Sequence, residues 1–325
     1  MKPVFHAGQL NGPFDDPCVY ARILRDSRAV MFDCGDIRVL EPGHILKISD
    51  IFITHMHIDH FIGIDSVLRV ALRRGEPLSI YGPESIISCI EGKLKGYSWN
   101  LISSYPVKIE VFEVDNEHIQ HASFHAANAF GRIDHPAKAF SGTVLDDSPL
   151  RVKALQLRHD IPVLAYSLEE EYHININKAL LQEMELPVGP WLSALKGAIR
   201  QGAPANTVFD CYGRMITKEE VMPVVTITRG QKISYVMDVS PDEENIAKII
   251  PFVAGSDTLF CEAYFLGQEI KRATERHHLT ASIAGRIARE GRVENIEIMH
   301  ISPKYRHCAD EIYREVEREF RGTAI

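Results

Sequence analysis

The sequence predicts an α/β protein with four layers, in which two β-sheets lie between outer helices. The chain has 325 residues, enough for a large domain with a sizeable core. Short β-rich runs fill most of the first half, and strand and helix patterns alternate near the end of the chain. A turn-rich stretch separates these two regions. Two sheets covered by helices are the arrangement that this order favours.

In the first half, apolar and β-branched runs predict strands, and apolar residues at helical spacing predict helices. A polar turn at Asp26–Arg28 joins the first two strands, and alternating segments after residue 118 predict an antiparallel meander. The predicted strands are Val19–Leu24, Ala29–Phe32, Ile51–Thr54, Leu78–Tyr81, Val107–Val114, Ile119–His125, Ala139–Leu145, Val152–Leu157 and Val163–Ser167, and the predicted helices are Phe61–Arg73 and Glu84–Leu94.

The second half begins with a stretch rich in turn residues, Glu169–Val221, which we interpret as an arm inserted into a single domain of residues 1–325. Proline and glycine between its two helical patterns break the chain. Strands and helices then alternate. The predicted helices are Asn177–Met184, Trp191–Ile199, one capped by residues 240–243, Thr280–Glu290 and one from Ala309, and the predicted strands are Val224–Thr228, Ile233–Met237, Thr258–Glu262 and Ile296–His300.

Composition excludes several classes of protein. No apolar run approaches the roughly 18 residues that a membrane helix needs. The six cysteines are scattered without a CxxC pair, which is typical of reduced thiols in a cytoplasmic protein. The formal net charge of -8 argues against a protein that coats nucleic acid non-specifically.

The strongest chemical signal is the segment Thr54–His60, with the sequence THMHIDH. It offers three histidines and an aspartate as ligands directly after a predicted buried strand and before a predicted helix. Loops at this end of a strand are where α/β folds place their sites. Imidazole nitrogens and carboxylate oxygens are ligands that Zn²⁺ accepts readily. The segment therefore predicts a metal site.

An HxHxDH run after a strand resembles the metallo-β-lactamase superfamily. That resemblance implies further ligands at later strand ends, and the sequence has candidates at His159, Asp238 and His300. It also implies two divalent metal ions, with Zn²⁺ expected and Mn²⁺ or Fe²⁺ as alternatives. One ion would be held by His55, His57 and His159. The other would be held by Asp59, His60 and His300, with Asp238 bridging the two.

Within the superfamily, the sequence resembles the ribonuclease Z branch, whose members process the 3′ ends of tRNA. The similarity extends from about Asp33 to Arg306 but departs from the family at Cys261, where the family's HEAT motif has histidine. The motifs that carry the resemblance are FDCGD at 32–36, ITHMHIDHFIG at 53–63, RHDIP at 158–162, LPVGPW with LKG at 186–197, HLTA at 278–281 and ISPKY at 301–305.

The resemblance also implies roles for individual side chains. Asp59 is the candidate general base, although it could serve as a ligand only, and His278 is the candidate proton donor to a phosphate or leaving oxygen. Asp33 is expected to hydrogen-bond a ligand histidine and fix its tautomer, or else to stabilise its turn. Lys196, Lys304 and Arg306 are weaker candidates for contacts with RNA phosphates. The family resemblance further implies a precursor tRNA substrate and a homodimer.

Two other readings remain open on the sequence. The same metals could serve hydrolysis of a small phosphodiester, or of a lactone, thioester or sulfate ester. A projecting, positively charged arm would favour a macromolecular substrate, whereas an arm folded over the metals would favour a small one. The chain could also be a metal-binding accessory protein without catalysis, an idea that Cys261 keeps open although all seven ligand positions carry suitable residues.

Overall fold

A computed structural model describes residues 4–24 and 27–322, so Asp26 of the predicted turn lies outside the described residues. The chain divides into two compact units. The first comprises residues 1–145, 152–168 and 232–325, and the second comprises residues 146–151 and 169–231. In the part of the chain that the structure describes, none of the helices has the length and apolar character needed to cross a membrane.

The secondary structure alternates between strands and helices along the chain. The strands are β1 (Phe5–Gln9), β2 (Val19–Ile23), β3 (Ala29–Phe32), β4 (Ile48–Phe52), β5 (Leu78–Pro83), β6 (Lys108–Val114), β7 (His118–His125), β8 (Arg132–Ala139), β9 (Thr143–Asp147), β10 (Leu150–His159), β11 (Ile161–Glu170), β12 (Tyr172–Ile176), β13 (Val208–Cys211), β14 (Arg214–Thr217), β15 (Val225–Arg229), β16 (Lys232–Val236), β17 (Thr258–Glu262) and β18 (Ile296–Met299). The helices are α1 (Pro42–Ile45), α2 (Ile58–Phe61), α3 (Ile64–Ala71), α4 (Ile86–Lys95), α5 (Lys178–Glu183), α6 (Trp191–Arg200), α7 (Lys218–Val221), α8 (Glu243–Val253), α9 (Ile270–Arg276), α10 (Ala281–Glu290) and α11 (Ala309–Arg321).

The first sheet contains β1 to β8 in sequence order. Strands β3 to β6 run parallel to one another, whereas β1 with β2, β2 with β3, β6 with β7 and β7 with β8 are antiparallel pairs. Every residue of β3 is buried, as expected for a parallel strand covered on both faces. Helices α3 and α4 contribute Val67, Leu68, Ile87 and Ile90 to the apolar core on one face of this sheet.

The second sheet has the order β18-β17-β16-β11-β10-β9, with β16, β17 and β18 parallel. Its outer face packs against α8, α10 and α11, which bury Ile249, Ile287 and Ile312 in one apolar cluster with strand residues such as Leu259. The buried apolar residues of these helices are spaced so that they lie on one face, and this face of each helix enters the core.

The inner face of the first sheet carries a ladder of stacked rings. Neighbouring ring centroids lie 4.2–5.5 Å apart, with interplanar angles of 12–27°. Tyr166 on β11 and Tyr235 on β16 pack against the first ring at 6.1 and 5.6 Å, so the second sheet covers this end of the ladder. The two sheets and their outer helices confirm the predicted four-layer architecture. In order from β3 to β8, the ladder consists of Phe32, Phe52, Tyr81, Phe112, His121 and His135.

Several element boundaries differ from the sequence prediction. The predicted strand Ala139–Leu145 is wrong, because β8 ends at Ala139 and a turn with Gly142 at φ 93° precedes β9. The predicted helix Phe61–Arg73 is two helices that separate at Gly63. Strand β1 and helix α9 were not predicted at all.

The second unit contains the predicted arm. Its strands form two small antiparallel sheets, β12 with β15 and β13 with β14. A core of its own includes Trp191, Leu195 and Phe209. The helix α6 buries Trp191 and Leu195, which are spaced four residues apart on one face.

Candidate metal centre

The segment Thr54–His60 links β4 to the helices on the first sheet. His57 is the N-terminal cap residue of α2, and Asp59 and His60 lie within this one-turn helix. The short helix directs two consecutive side chains in different directions, so Asp59 is partly exposed while His60 is fully buried. The loop can therefore supply ligands from more than one direction to a metal ion.

Two glycines allow the turn after β3 to lie against this loop. A Cβ added at Gly35 would lie 2.3 Å from the carbonyl oxygen of Asp59, and one added at Gly63 would lie 2.1 Å from the carbonyl oxygen of Gly35. Backbone atoms that close leave no room for any other residue. The glycines in the FDCGD and ITHMHIDHFIG motifs thus fix the position of the ligand loop.

A first group of possible ligands consists of His55, His57, His159 and Asp238, each with one donor atom within 4.8 Å of the others. His159 is the last residue of β10, and Asp238 follows the end of β16. Asp238 Oδ2 lies 3.5 Å from His55 Nε2 and 4.0 Å from His159 Nε2. Residues from both sheets therefore meet at this group.

A second group adjoins the first and consists of Asp59, His60 and His300. Asp59 Oδ2 lies 3.4 Å from His300 Nε2 and 3.6 Å from His60 Nε2. Asp238 also reaches this group, since its Oδ2 lies 3.3 Å from His60 Nε2. All seven predicted metal ligands are thus brought together, and the Asp238 carboxylate lies between the two groups.

Three of the site residues have a left-handed backbone conformation just beyond a strand. The φ angle is 51° at Asp33, 50° at Asp238 and 52° at His300. Residues other than glycine adopt this conformation at some cost, although aspartate and histidine do so more readily than most. Such strain is concentrated at functional sites, where it turns a side chain out of the alternation of the strand.

Hydrogen bonds behind the ligands fix the tautomers of two histidines. His60 Nδ1 lies 2.7 Å from Asp33 Oδ2, and His159 Nδ1 donates to the carbonyl oxygen of His277 at 2.6 Å. A carbonyl oxygen can only accept, so His159 carries its proton on Nδ1 and presents the lone pair of Nε2. Asp33, which also accepts from Tyr235 and Thr54, stands where the sequence analysis expected a partner for a ligand histidine.

The electrostatics of the site place a neutral imidazole at His55 and a protonated one at His300 beside the ionised carboxylate of Asp238. Burial, reinforced by His60, lowers the pKa of His55 to about 2. Burial opposes ionisation of Asp238, but His300 and His60 outweigh it and hold the pKa of Asp238 well below its ordinary range. Burial likewise opposes protonation of His300, yet the Asp238 carboxylate raises the pKa of His300 to about 10. The carboxylates thus require a positive charge at this place.

The buried polar atoms fit a divalent cation. His55 Nε2, His60 Nε2, His300 Nδ1 and Asp238 Oδ1 are buried and make no hydrogen bond of favourable geometry among the described residues, although His300 Nδ1 lies 2.7 Å from Asp238 Oδ1 as an ion pair. A buried polar atom without a partner costs free energy, on the order of 1–3 kcal/mol each. A metal ion would satisfy the lone pairs of these atoms and balance the carboxylate charge. Nitrogen and carboxylate donors in this number suit Zn²⁺.

His278 lies beside the second ligand group. Its Nδ1 is 2.8 Å from Glu262 Oε2, and its ring stacks on Tyr264 with centroids 4.0 Å apart. Burial lowers the pKa of His278, but the Glu262 carboxylate outweighs it and raises the pKa. His278 precedes the helix α10, which begins at Ala281 with Thr280 as its cap, one residue after the predicted start.

The basic residues predicted to contact RNA lie in different surroundings. Lys304 pairs with Glu269 and lies over the ring of Phe265, and Arg306 is 3.6 Å from Asp15. Lys196 lies on α6 in the second unit and is not a free cation, because it already interacts with another group. Lys304 and Arg306 are therefore already paired with acidic residues.

Sequence reasoning missed several residues around the centre. Glu262 ends β17 within the CEAY segment, directly after Cys261, and its position at a strand end could have identified it. Arg272 and Arg276 line a cleft of about 470 Å³ with the predicted metal ligands His57, Asp59 and His300. They lie on α9, whose polar sequence gave no helical signal.

Comparisons with known proteins agree with this geometry. No protein-family model matches the chain. Ribonuclease Z of Deinococcus radiodurans is 28% identical over 298 residues, which cover 86% of this chain and 84% of that protein. The metallo-β-lactamase fold protein YhfI from Bacillus subtilis has a TM-score of 0.55 at 14% identity and covers 97% of this chain and 92% of its own. The short form of human tRNase Z has a TM-score of 0.52 at 18% identity, covering 92% and 91%.

Proposed function

Since the chain has the metallo-β-lactamase fold and resembles ribonuclease Z along most of its length, we propose that it is a metal-dependent endoribonuclease that removes the 3′ trailer of precursor tRNA. One observation carries the proposal. Buried nitrogen and oxygen atoms of His55, His60, Asp238 and His300 meet at one place and make no hydrogen bond of favourable geometry among the described residues. The ligand segment THMHIDH, on which this place depends, is also a motif of the resemblance to ribonuclease Z.

The residues divide into two proposed ligand sets that share one carboxylate. His55, His57 and His159 would hold one Zn²⁺, whereas Asp59, His60 and His300 would hold the second, with Asp238 common to both. Bound as a pair, divalent ions lower the pKa of water and stabilise charge on the attacking and leaving oxygens of a phosphodiester.

Two side chains are proposed to move the protons of the reaction. Water attacks the phosphorus atom while the bond to the 3′ oxygen of the tRNA breaks. Asp59 faces the cleft and would accept the proton from the attacking water. His278 would donate a proton to the leaving 3′ oxygen, so that the tRNA ends in a hydroxyl group and the trailer keeps the phosphate. Glu262 occupies Nδ1 of His278 and favours its protonated form, which leaves Nε2 as the donor.

The contacts with RNA form a separate part of the proposal. Arg276, at the edge of the cleft, is better placed for a phosphate beside the metal ligands than Lys304 or Arg306, which pair with acidic residues. Lys196 on α6 stays a predicted contact for the tRNA. A homodimer is the assembly that the resemblance implies, and the scattered cysteines favour the cytoplasm as the location.

The test is cleavage of a 3′-extended precursor tRNA by the Zn²⁺-loaded protein, beside an Asp59→Ala variant. We expect a single cut after the discriminator base, with a 5′ phosphate on the released trailer. The variant should lose at least about 100-fold in rate, the low end for general acid–base catalysis. No cleavage by protein shown to hold two metal ions would exclude the proposal and turn attention to small phosphodiesters and esters.

A further inference from the structure

A second group of possible metal ligands lies away from the centre described above. Glu110, His121 and His135 each offer one donor atom, and these atoms lie within 4.8 Å of one another. They come from β6, β7 and β8, at the end of the first sheet. Neither the motifs of the sequence analysis nor the proposed reaction uses these residues.

The strand register explains why the three side chains meet. His121 is paired directly with His135 on one side and with Phe112 on the other. Glu110 is paired with Ser123, two residues along β7 from His121. Directly paired residues of antiparallel strands share a face, and so do residues two apart on one strand. The donors therefore project from one face of a rigid three-stranded segment.

Hydrogen bonds and stacking orient the donors. Glu110 Oε2 lies 2.7 Å from His121 Nε2, and the Ser123 hydroxyl lies 2.8 Å from His135 Nε2. The rings of His121 and His135 stack with centroids 4.2 Å apart. Ser123, which is outside the group, orients the His135 ring in the way that proteins usually orient a ligating imidazole, whereas the bond between Glu110 and His121 joins two of the possible ligands.

The charges of the group also suit a cation. Two imidazolium rings stacked 4.2 Å apart would repel each other, and Glu110 can balance only one of them. Two neutral imidazoles and one carboxylate around a divalent ion satisfy all three groups. His121 and His135 line a cleft of about 520 Å³, which leaves room for solvent to complete the coordination.

We propose that Glu110, His121 and His135 form a separate site for a divalent transition-metal ion, with a His₂Glu donor set open to solvent. This donor set is one that Zn²⁺ accepts with water as its fourth ligand. The ion would join β8 to β6 across β7. All eight residues of β8 are exposed and the strand lies at the edge of the sheet, so such a link would hold an element that has little packing of its own.

The test counts bound Zn²⁺ per chain, by mass spectrometry of the equilibrated protein, for the full-length wild type and for His135→Gln. This substitution changes an exposed side chain on an edge strand and leaves the main centre intact. We expect the variant to hold one ion fewer than the wild type. His118→Gln is the matched control, because it removes a neighbouring imidazole on β7 that is outside the donor group, and it should bind as many ions as the wild type.

A second measurement detects the site even when it binds Zn²⁺ too weakly to be counted in the equilibrated protein. Zn²⁺ titration of protein whose main centre is already loaded should show one further site. Glu110→Gln and His135→Gln should each lower the Zn²⁺ affinity of this site at least about 10-fold, which is the smallest loss expected when a ligand only loses the partner that orients it. Equal stoichiometry and affinity in the wild type and both variants would overturn the proposal, as would an equal loss in His118→Gln. Because only metal binding is measured, the result is independent of RNA cleavage.

Discussion

Asp33→Asn should selectively weaken one of the two metal sites. The Asp33 carboxylate is fully buried and lies 2.7 Å from His60 Nδ1. It also accepts hydrogen bonds from the Thr54 amide at 2.7 Å and from the Tyr235 hydroxyl at 2.9 Å. Asparagine has the same size but replaces one acceptor oxygen with an amide donor. When that donor faces His60, the ring must accept at Nδ1 and carry its proton on Nε2, the atom that faces Asp238.

The expected loss of metal affinity follows from the loss of the lone pair on His60 Nε2. Removing the partner of a ligating histidine typically costs about 10- to 100-fold in metal affinity, which is about 1.4–2.7 kcal/mol at 1.4 kcal/mol for each factor of ten. Only the site that includes His60 should be affected. The Tyr235 hydroxyl shares the oxygen that accepts from His60, so the metal-free protein should also lose about 1–3 kcal/mol in free energy of unfolding.

The assay is competition for Zn²⁺ between the metal-free protein and a chromophoric chelator, which resolves the two affinities. Tyr235→Phe is the matched control, because it removes one hydrogen bond to the same carboxylate and leaves His60 with its partner. We expect the control to keep both affinities within about threefold of the wild type, well short of the 10-fold minimum for a lost orienting partner. Wild-type affinity at both sites in Asp33→Asn, or an equal loss in the control, would refute the argument.

Three further predictions concern the neighbourhood of the centre. Glu262→Gln should lower kcat for RNA cleavage about 100-fold with little change in KM, since the amide no longer favours a protonated His278. The alkaline limb of the pH–rate profile should move to lower pH, because the pKa of His278 falls when the carboxylate is removed. Gly63→Ala should unfold at a markedly lower temperature in calorimetry, because its Cβ would lie 2.1 Å from a carbonyl oxygen. Gly75→Ala is the control and should match the wild type, because a Cβ at that position meets nothing within 4 Å. Arg276→Ala should raise KM for precursor tRNA and reduce the slope of log affinity against log salt by about one, as filter binding at several salt concentrations would show.

The parts of the fold that the sequence predicted are those with strong local patterns. Buried parallel strands such as Ala29–Phe32 and Thr258–Glu262 were predicted with their observed bounds, because runs of apolar residues between turns have few alternatives. Strand β8 was not recognised, since its sequence RIDHPAKA has no alternation and every residue is exposed. It is a strand because β7 offers it a partner, which is information that lies outside the segment itself.

The candidate site divides in the same way. The dense segment Thr54–His60 could be identified locally, and the resemblance then supplied His159, Asp238 and His300. The group of Glu110, His121 and His135 could not be found, because its members lie on three strands with no common motif and meet only through the register. Arg276 was missed for a similar reason, since a cleft has no signature in a polar helix.

The ring ladder on the first sheet also has a consequence for synthesis on the ribosome. The strands that carry Phe32, Phe52 and Tyr81 leave the ribosome well before β16, which bears Tyr235 and directly precedes Asp238. At about 5–20 residues per second, the delay is on the order of 10 s or more. Until β16 emerges, the second sheet lacks the strand that carries Tyr235, and the ligand loop lacks the Asp238 carboxylate that lies between the two ligand groups. The nascent chain therefore passes through a state in which the rings of the first sheet are only partly covered and the metal centre is incomplete. In this state, a chaperone that shields apolar surface would matter more than the supply of metal.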